Sequence, residues 1–568
     1  MKNMVKLLMA GLVATGCLVA AGRTESVNGV RWSYSNLSNH YAAVTSVKPG
    51  KKTAVAIPYK LSGRIVSQIG PGAFAECSNL VEVAIPQRVS RIGPYAFEGC
   101  NGLTRFSIPG QVRQIENATF QNCINLTTMS IHSAVTNIGP RAFAECGNLV
   151  EIAIPRRVSR IGPYAFSGCN GLTRFSIPGQ VRQIEDATFI GCTNLTTVEM
   201  HPAVTNIGAG AFADCSSLKN ATVPNAVTNL GEYAFAYCCS LEWVDISTNI
   251  TNIREGTFEG CSSMGDVAIP DCVTNIGDRA FHGCSSITNV TIPDYATDIG
   301  KEAFEECISL EDVTIPDYVT DIKDKTFYKC LSLTNVTIGA SVTNIGKEAF
   351  AQCISLEDVT IPDCVTNIGE KAFEECISLG EVTIPDCVTN IGEEAFYDCI
   401  SLTNVTIGAN VSGFGKGSFG GCTALTAFTV SPDNETFFEE SGLLLTNCLS
   451  DSIAIVAVPG GLTDVTIPDG VESIGYDEFA GCYNLEHVTV PASVTEIALD
   501  TFANCPLESL TIAPDNPRYF VEEGCLCDRE TGERYLIIPY YGLVHEPPTL
   551  LIRMSAGTRC ACRGRRAP

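Results

Sequence analysis

The chain has 568 residues, 45% apolar and 17% charged, with a formal net charge of −25. That balance excludes an intrinsically disordered chain. A field of that sign repels nucleic-acid phosphates and anionic lipid unless a local basic patch overcomes it, and no such patch dominates the sequence.

The first residues read as an export signal, residues 1–22: Lys2 and Lys6, an apolar run from Val5 to Ala14, then small residues through Ala20, Ala21 and Gly22. Two outcomes stay open. Cleavage after Gly22 releases a soluble chain, whereas Ala14-Thr15-Gly16-Cys17 resembles a bacterial lipobox, with Ala where that motif prefers Leu, and acylation at Cys17 would tether the protein. No later stretch approaches the ~20 apolar residues of a membrane-spanning helix. Across residues 23–54, Val30, Trp32 and Tyr34 alternate with polar residues, Asn36 to His40 is turn-like, and Tyr41 to Val47 returns as an apolar stretch. This predicts a hairpin that caps the open end of the first repeat unit.

From residue 55 to 430 the chain repeats itself. A Phe followed three residues later by Cys recurs from Phe74 to Phe419 at constant intervals of 23, and again at Phe479 and Phe502, giving eighteen copies in all. The unit from Leu356 to Phe373, LEDVTIPDCVTNIGEKAF, changes period along its length. Leu356, Val359 and Ile361 alternate with polar residues as in a short strand, which Pro362 ends because it cannot donate a ladder hydrogen bond. Val365 and Ile368 mark a second extended piece, closed by Gly369 in a turn conformation costly for other residues. Ala372, Phe373 and Cys376 then share one side of a helical turn or two. One such unit cannot bury enough apolar surface to order itself, so stability belongs to a stack of coils whose strands pair into a parallel sheet. Eighteen coils at ~4.8 Å would span on the order of 85 Å, a large display surface.

These residues resemble the BspA-like leucine-rich-repeat family, whose 23-residue unit is I-G-x-x-A-F-x-x-C-x-x-L-x-x-V-x-I-P. The match is close at Ile391-Gly392-Glu393-Glu394-Ala395-Phe396-Tyr397-Asp398-Cys399 and covers roughly residues 55 to 540. The resemblance implies an α/β leucine-rich-repeat solenoid with a parallel sheet on one face and short extended and helical turns on the others. It also implies a bacterial surface or secreted protein, in a family that includes adhesins for host matrix proteins or other cells.

Residues 431–541 continue the repeats with insertions. SPDNETFFEESGLLLTNCLSDSIAIVAVP from Ser431 returns as APDNPRYFVEEGCLCDRETGERYLIIP from Ala513, each reading as a longer repeat with an added hairpin on one edge. Residues 542–568 form an irregular basic tail, with RCACRGRRAP from Arg559, consistent with a frameshifted or truncated end. A block from about Gly70 to Gly139 recurs almost unchanged 69 residues later, and the KEAF at Lys301 returns at Lys347, so coils were copied in threes and in twos. Duplicated surfaces fit a binder that tolerates length change better than an enzyme, whose active site needs a unique arrangement.

Eighteen of the 28 cysteines fall at one repeat position beside the Phe. In-register neighbours would hold parallel Cβ atoms ~4.8 Å apart, beyond the ~3.5–4.5 Å of a disulfide, which predicts a buried column of free thiols. Cys272, Cys364 and Cys387 lie in the turn after the strand and are expected to be exposed. The pairs Cys525 with Cys527 and Cys560 with Cys562 are too isolated to form a zinc site and read as an irregular edge and tail. Six histidines yield no nucleophile, base and orienter, and His132 and His201 are equivalent positions of the duplicated block. Asp266, Asp312, Asp358 and Glu381 share one outward strand position, a solvated face rather than a general acid and base. Asp271, Asp294, Asp317, Asp363 and Asp386 come directly after the strand-ending proline, where turn capping is expected and calcium bridging is the alternative. No catalytic residue, metal site or cofactor is read from the sequence.

The outward strand position carries Trp243 within Leu241-Glu242-Trp243-Val244-Asp245-Ile246, where neighbouring coils have Asn220 and Asp266. An exposed Trp between acids is the kind of residue that anchors an interface, the alternative being packing under the next coil. Trp243, Glu242, Asp245, Asn220 and Asp266 are therefore the candidate partner-binding residues. The expected protein is a secreted or cell-surface binder of an extracellular protein, a glycan or other cells, with no nucleic-acid partner and membrane contact only through an anchor at Cys17. A self-associating envelope or matrix component is the alternative.

Overall fold

A computed structural model describes residues 22–447, 453–475, 478–498, 501–502, 505–522 and 524–536. The export signal with Cys17, and the tail with Cys560 and Cys562, lie outside the described residues. The chain falls into two units, Met1–Leu218 and Lys219–Pro568.

The first unit opens with three antiparallel strands, β1 (Arg23–Val27), β2 (Val30–Asn36) and β3 (Tyr41–Lys48). β3 then pairs in parallel with Arg64–Ile69, which pairs in parallel with Arg91–Ile92. Trp32, Tyr34 and Val30 are the buried side of the alternation, and the Trp32 ring meets Phe74 edge-on at 6.1 Å. From there short strands pair in parallel with strands 23 residues earlier, in runs of a few coils: Arg105–Ser107 pairs with Thr128–Ser130, and Gln114–Ile115 with Asn137–Ile138.

The second unit repeats this coil. Asn335–Thr337 pairs in parallel with Asp358–Val359, and the shorter segments Asn344–Ile345, Asn367–Ile368 and Asn390–Ile391 form a second parallel ladder. Leu356, Val359, Ile361, Val365, Ile368, Ala372, Phe373 and Cys376 of one coil are all buried. The Phe rings of successive coils from Phe281 to Phe419 stack with centroids 5.1–5.5 Å apart and planes within 9° of parallel.

The structure corrects the α/β reading: among the described residues there is no helix, and the segment expected to be helical is a chain of tight turns. The reason is where its N–H groups go. Lys371, Phe373 and Glu375 donate to Glu393, Ala395 and Tyr397 of the following coil, while Ala372, Glu374 and Cys376 donate three residues back. A helix would spend both sets internally; here every other donor crosses to the neighbouring coil. The alternation requires left-handed backbone at two places per coil, for example Lys371 (φ 57°) and Glu375 (φ 57°), or Glu394 (φ 54°) and Asp398 (φ 56°).

Gly369 is also not there for a turn conformation, because its φ is not positive. A Cβ at Gly369 would lie 2.6 Å from the carbonyl carbon of Gly346, and one at Gly392 would lie 2.4 Å from the backbone nitrogen of Glu370. The Ile-Gly step marks the place where backbones of adjacent coils approach most closely.

The insertions are three-stranded antiparallel sheets, one strand more than the expected hairpin: Phe437–Glu440, Leu443–Asn447 and Ile453–Ala457, then Tyr519–Glu522, Cys525–Asp528 and Arg534–Leu536. The shared Pro-Asp-Asn motif supplies the anchor. The Asn434 amide donates to the carbonyls of Gly408 and Val411 in the preceding coil and accepts from the N–H groups of Thr436 and Phe437. Asn516 makes the same four bonds with Pro491, Val494, Arg518 and Tyr519. Cys525 and Cys527 are buried within the second of these sheets rather than lying on an irregular edge.

Candidate binding face

In the short strand Trp243–Asp245 only the middle residue, Val244, is turned inward, and it is half-buried. Trp243 pairs opposite Asn220 and Asp245 opposite Thr222 in a parallel ladder. Trp243 is 47% exposed, which removes the alternative that it packs under the next coil. Glu242 and Asp245 are exposed and Asn220 is half-buried. The structure thus gathers Asn220, Trp243 and Asp245 on two adjacent strands, with Glu242 directly before the second.

Asp266 does something else. It is exposed, but its carboxylate accepts from the Thr288 hydroxyl at 2.8 Å and from the N–H groups of Asn289 at 2.9 Å and Thr288 at 3.2 Å. These bonds, the Thr288 hydroxyl first, hold its carboxyl below the usual carboxylate range. Its charge braces the following coil. Asp317 and Asp386, expected to cap their own turns, likewise reach the next coil, accepting from the N–H groups of Ala340 and Ala409 at 2.8 Å.

A second aromatic feature lies outside the five candidates. Tyr295 and Tyr318 occupy the same turn position in successive coils, 65% and 59% exposed, with rings stacked 6.0 Å apart. Their 23-residue separation is the sequence signal that places one ring over the other.

The Phe-side cysteines form the expected column of free thiols. Most of these thiols donate to the Phe carbonyl of the preceding coil, as Cys353 to Phe327 and Cys376 to Phe350, both at 3.2 Å, whereas Cys482, after the insertion, turns to Val458. Burial pushes the thiols up, to about 12 for Cys307 and Cys353, so the nucleophilic thiolate is scarce at neutral pH. Cys364 and Cys387 are exposed as expected, and so is Cys239. Cys272 is half-buried instead, its thiol turned onto the carbonyls of Thr248 and Ile250 at 3.0 Å.

Charged side chains beside the Phe column alternate in sign from coil to coil. Arg279, Glu302, Lys325, Glu348, Lys371 and Glu394 share one position, with pairs at 2.5 Å (Arg279–Glu302), 3.1 Å (Lys325–Glu348) and 2.7 Å (Lys371–Glu394). The position one residue earlier holds Lys301–Asp324 at 2.7 Å and Lys347–Glu370 at 2.6 Å. A column of like charges at this spacing would repel, and the two-coil duplication supplies the alternation that avoids it. One surface depression is shallow and polar, lined by Glu232, Asn252, Arg254, Glu255, Asn275 and Asp278. No helix of the described residues is long and apolar enough to cross a membrane.

Comparison with known proteins agrees with this architecture. The BspA type leucine rich repeat region matches in six copies over residues 59–173, 137–264, 228–357, 343–452 and 460–526. Among solved structures, a leucine-rich repeat protein from Bacteroides ovatus is similar at 24% identity and a TM-score of 0.50, with 85% of this chain and 98% of that one covered. The T. pallidum leucine rich repeat protein is 30% identical over 33% of this chain and 87% of its own, with a TM-score of 0.31. A leucine rich cell surface protein from Faecalibacterium prausnitzii is 23% identical over 72% and 96%, with a TM-score of 0.29. No curated protein sequence matches. The family profile spans most of the chain, the coils stack in the register that the 23-residue period demands, and the chain belongs to the BspA type leucine rich repeat family.

Proposed function

We propose that this protein is an exported or cell-surface binding protein, adhesin-like in role, which recognises an extracellular protein or glycan on its strand face. The observation that carries the reading is Trp243, a large aromatic left 47% exposed between the exposed carboxylates of Glu242 and Asp245 on a paired and therefore rigid strand. Interfaces draw most of their energy from a few such anchors. An indole flanked by acids suits either a sugar ring or a cationic side chain placed over its face. Asn220 lies in the adjoining strand and completes the patch; Asp266, committed to Thr288 and Asn289, stands at its margin.

The test is binding of the purified chain, with and without Trp243→Ala, to immobilised matrix proteins, glycans and bacterial cells at physiological salt. Saturable binding to one of them that Trp243→Ala weakens by ~2 kcal/mol or more supports the anchor. Binding that survives Trp243→Ala but is lost on Tyr295→Ala with Tyr318→Ala moves the site to the stacked tyrosines. Absence of binding together with ordered self-association replaces the reading with the structural one.

A further inference from the structure

We propose that the turn side of the coils carrying Phe281 and Phe304 holds a divalent transition-metal site of the zinc class, with His282 Nδ1 and the carboxylates of Glu302 and Glu305 as its protein ligands. One donor atom from each of these three residues lies within 4.8 Å of the other two, and all three side chains are half-buried. His282 Nδ1 and Glu305 Oε2 are 3.6 Å apart, just beyond hydrogen-bond reach, and Nδ1 is enclosed with no hydrogen-bond partner. Four-coordinate zinc, with bonds of ~2.0–2.1 Å, places its donors about 3.3 Å apart, so a movement of a few tenths of an ångström closes the pair around an ion.

A second observation comes from the coil before. Glu259 occupies the register position of His282 and Glu305 one coil earlier and is only 4% exposed. Its Oε1 accepts from the Tyr237 hydroxyl, while Oε2 is enclosed with no partner. That free oxygen lies beside Gly256, in the column that continues into Arg279 and Glu302. Glu302 and Glu305 thus share this side of the coils with the buried Glu259, and the permanent cations Arg279 and Lys325 are the charges that offset them. Arg279 Nε holds Glu302 at 2.5 Å from one side and leaves the other carboxylate oxygen for an ion, the outer-shell arrangement that orients a ligand.

The donor set selects the metal. Calcium and magnesium take oxygen almost exclusively, whereas imidazole with carboxylates suits zinc and its neighbours. Three protein ligands leave a fourth position for water. The site is also particular to this place: residues directly after the repeat Phe include Ala75, Ala144, Ala236 and Ala351 in other coils, and His282 is the one histidine among them. An ion here would tie two successive coils together through side chains. Among the described residues the other cluster of this composition, Glu486, His487 and Glu508, is more exposed, and its His487 Nδ1 is already paired with Ser509 at 2.9 Å, so it serves as the comparison.

The experiment uses the full chain with its exposed thiols, among them Cys239, Cys364 and Cys387, alkylated beforehand, titrated with Zn2+ by calorimetry and with Co2+ by absorption. The expected result is one equivalent bound, a Co2+ spectrum free of thiolate charge transfer, and a thermal midpoint that rises with Zn2+. His282→Ala, which puts at this position the residue that Ala351 already provides elsewhere, should melt like the parent without metal yet bind at least ~10-fold more weakly. His487→Ala should bind like the parent. Failure of the alkylated parent to bind overturns the proposal, as does binding that His282→Ala leaves unchanged.

Discussion

The strand face and the Phe–Cys face of the same coils are held together differently. In the unit from Lys219 onward, the turn bonds on the Phe side run without a break from Tyr233 to Gly420, three to a coil, as in Lys325, Phe327 and Lys329 to Lys347, Ala349 and Ala351. The strand ladder over the same coils is interrupted: Trp243–Asp245 ends one sheet, Val267–Ala268 begins a two-stranded one, and Asp312–Thr314 begins another. On the Phe side identical residues recur and fit one another, whereas the strand side varies its outward residue from Asn220 to Trp243 to Asp266. Stability is concentrated where the repeat is strict. That leaves the other side free to change, which is what a binding surface requires.

The largest expected effect tests that division directly. Phe350→Ala removes one ring from the stack and should cost about 3–5 kcal/mol in urea unfolding, while Trp243→Ala, on an exposed strand position, should shift stability by no more than about 0.5 kcal/mol. Comparable losses at the two sites would end the distinction. Next, the protected thiols should resist alkylation: under native conditions at pH 8, reagent should label Cys239, Cys364 and Cys387 while Cys307 and Cys353 stay unmodified until urea unfolds the chain. Labelling of Cys353 before unfolding, read by peptide mass, would show that the Phe side opens as easily as the strand side.

Smaller effects sharpen the picture of the turns. Gly191 has φ 73° and space for a Cβ, its nearest neighbour being 3.9 Å away, so Gly191→Ala isolates the left-handed backbone cost and should lose about 1 kcal/mol. Lys371→Glu sets like charges beside Glu348, Glu374 and Glu394 and should lose about 1 kcal/mol, shrinking as salt is raised because the half-buried position is still reached by solvent. Smallest is the Asp266 brace. Its carboxyl is held below the ordinary 3.8, so its contribution is present above that pH and disappears as pH falls through the depressed value; Asp266→Asn should remove this part of the acid dependence, read as the difference between the two unfolding curves below pH 4.

Much of this fold is legible in the residues, and particular positions show where that stops. Leu356, Val359, Ile361, Val365 and Ile368 announce the two extended pieces by their spacing, and the constant 23 between Phe–Cys pairs announces stacking and the thiol column. The turn segment misleads because Ala372, Phe373 and Cys376 have the spacing of one side of a helix; nothing local says that the N–H of Phe373 belongs to Ala395. Gly369 misleads for a related reason, since its neighbour in space is Gly346. Among the candidate residues, the exposure of Trp243 comes from strand alternation, but the commitment of Asp266 to Thr288 and Asn289 depends on a coil 22 or 23 residues further on.

What the sequence by itself determined is the period, and with it the unit, the inward residues, the family and the register in which coils pair, because all of these derive from residue type and spacing within 23 positions. Tertiary structure decided which donors leave the coil, which glycines answer to a neighbour's backbone, and which charges meet. Each of those is settled by contact between residues one coil apart, where the closeness of two backbones, about 5 Å, matters more than the preference of either residue alone.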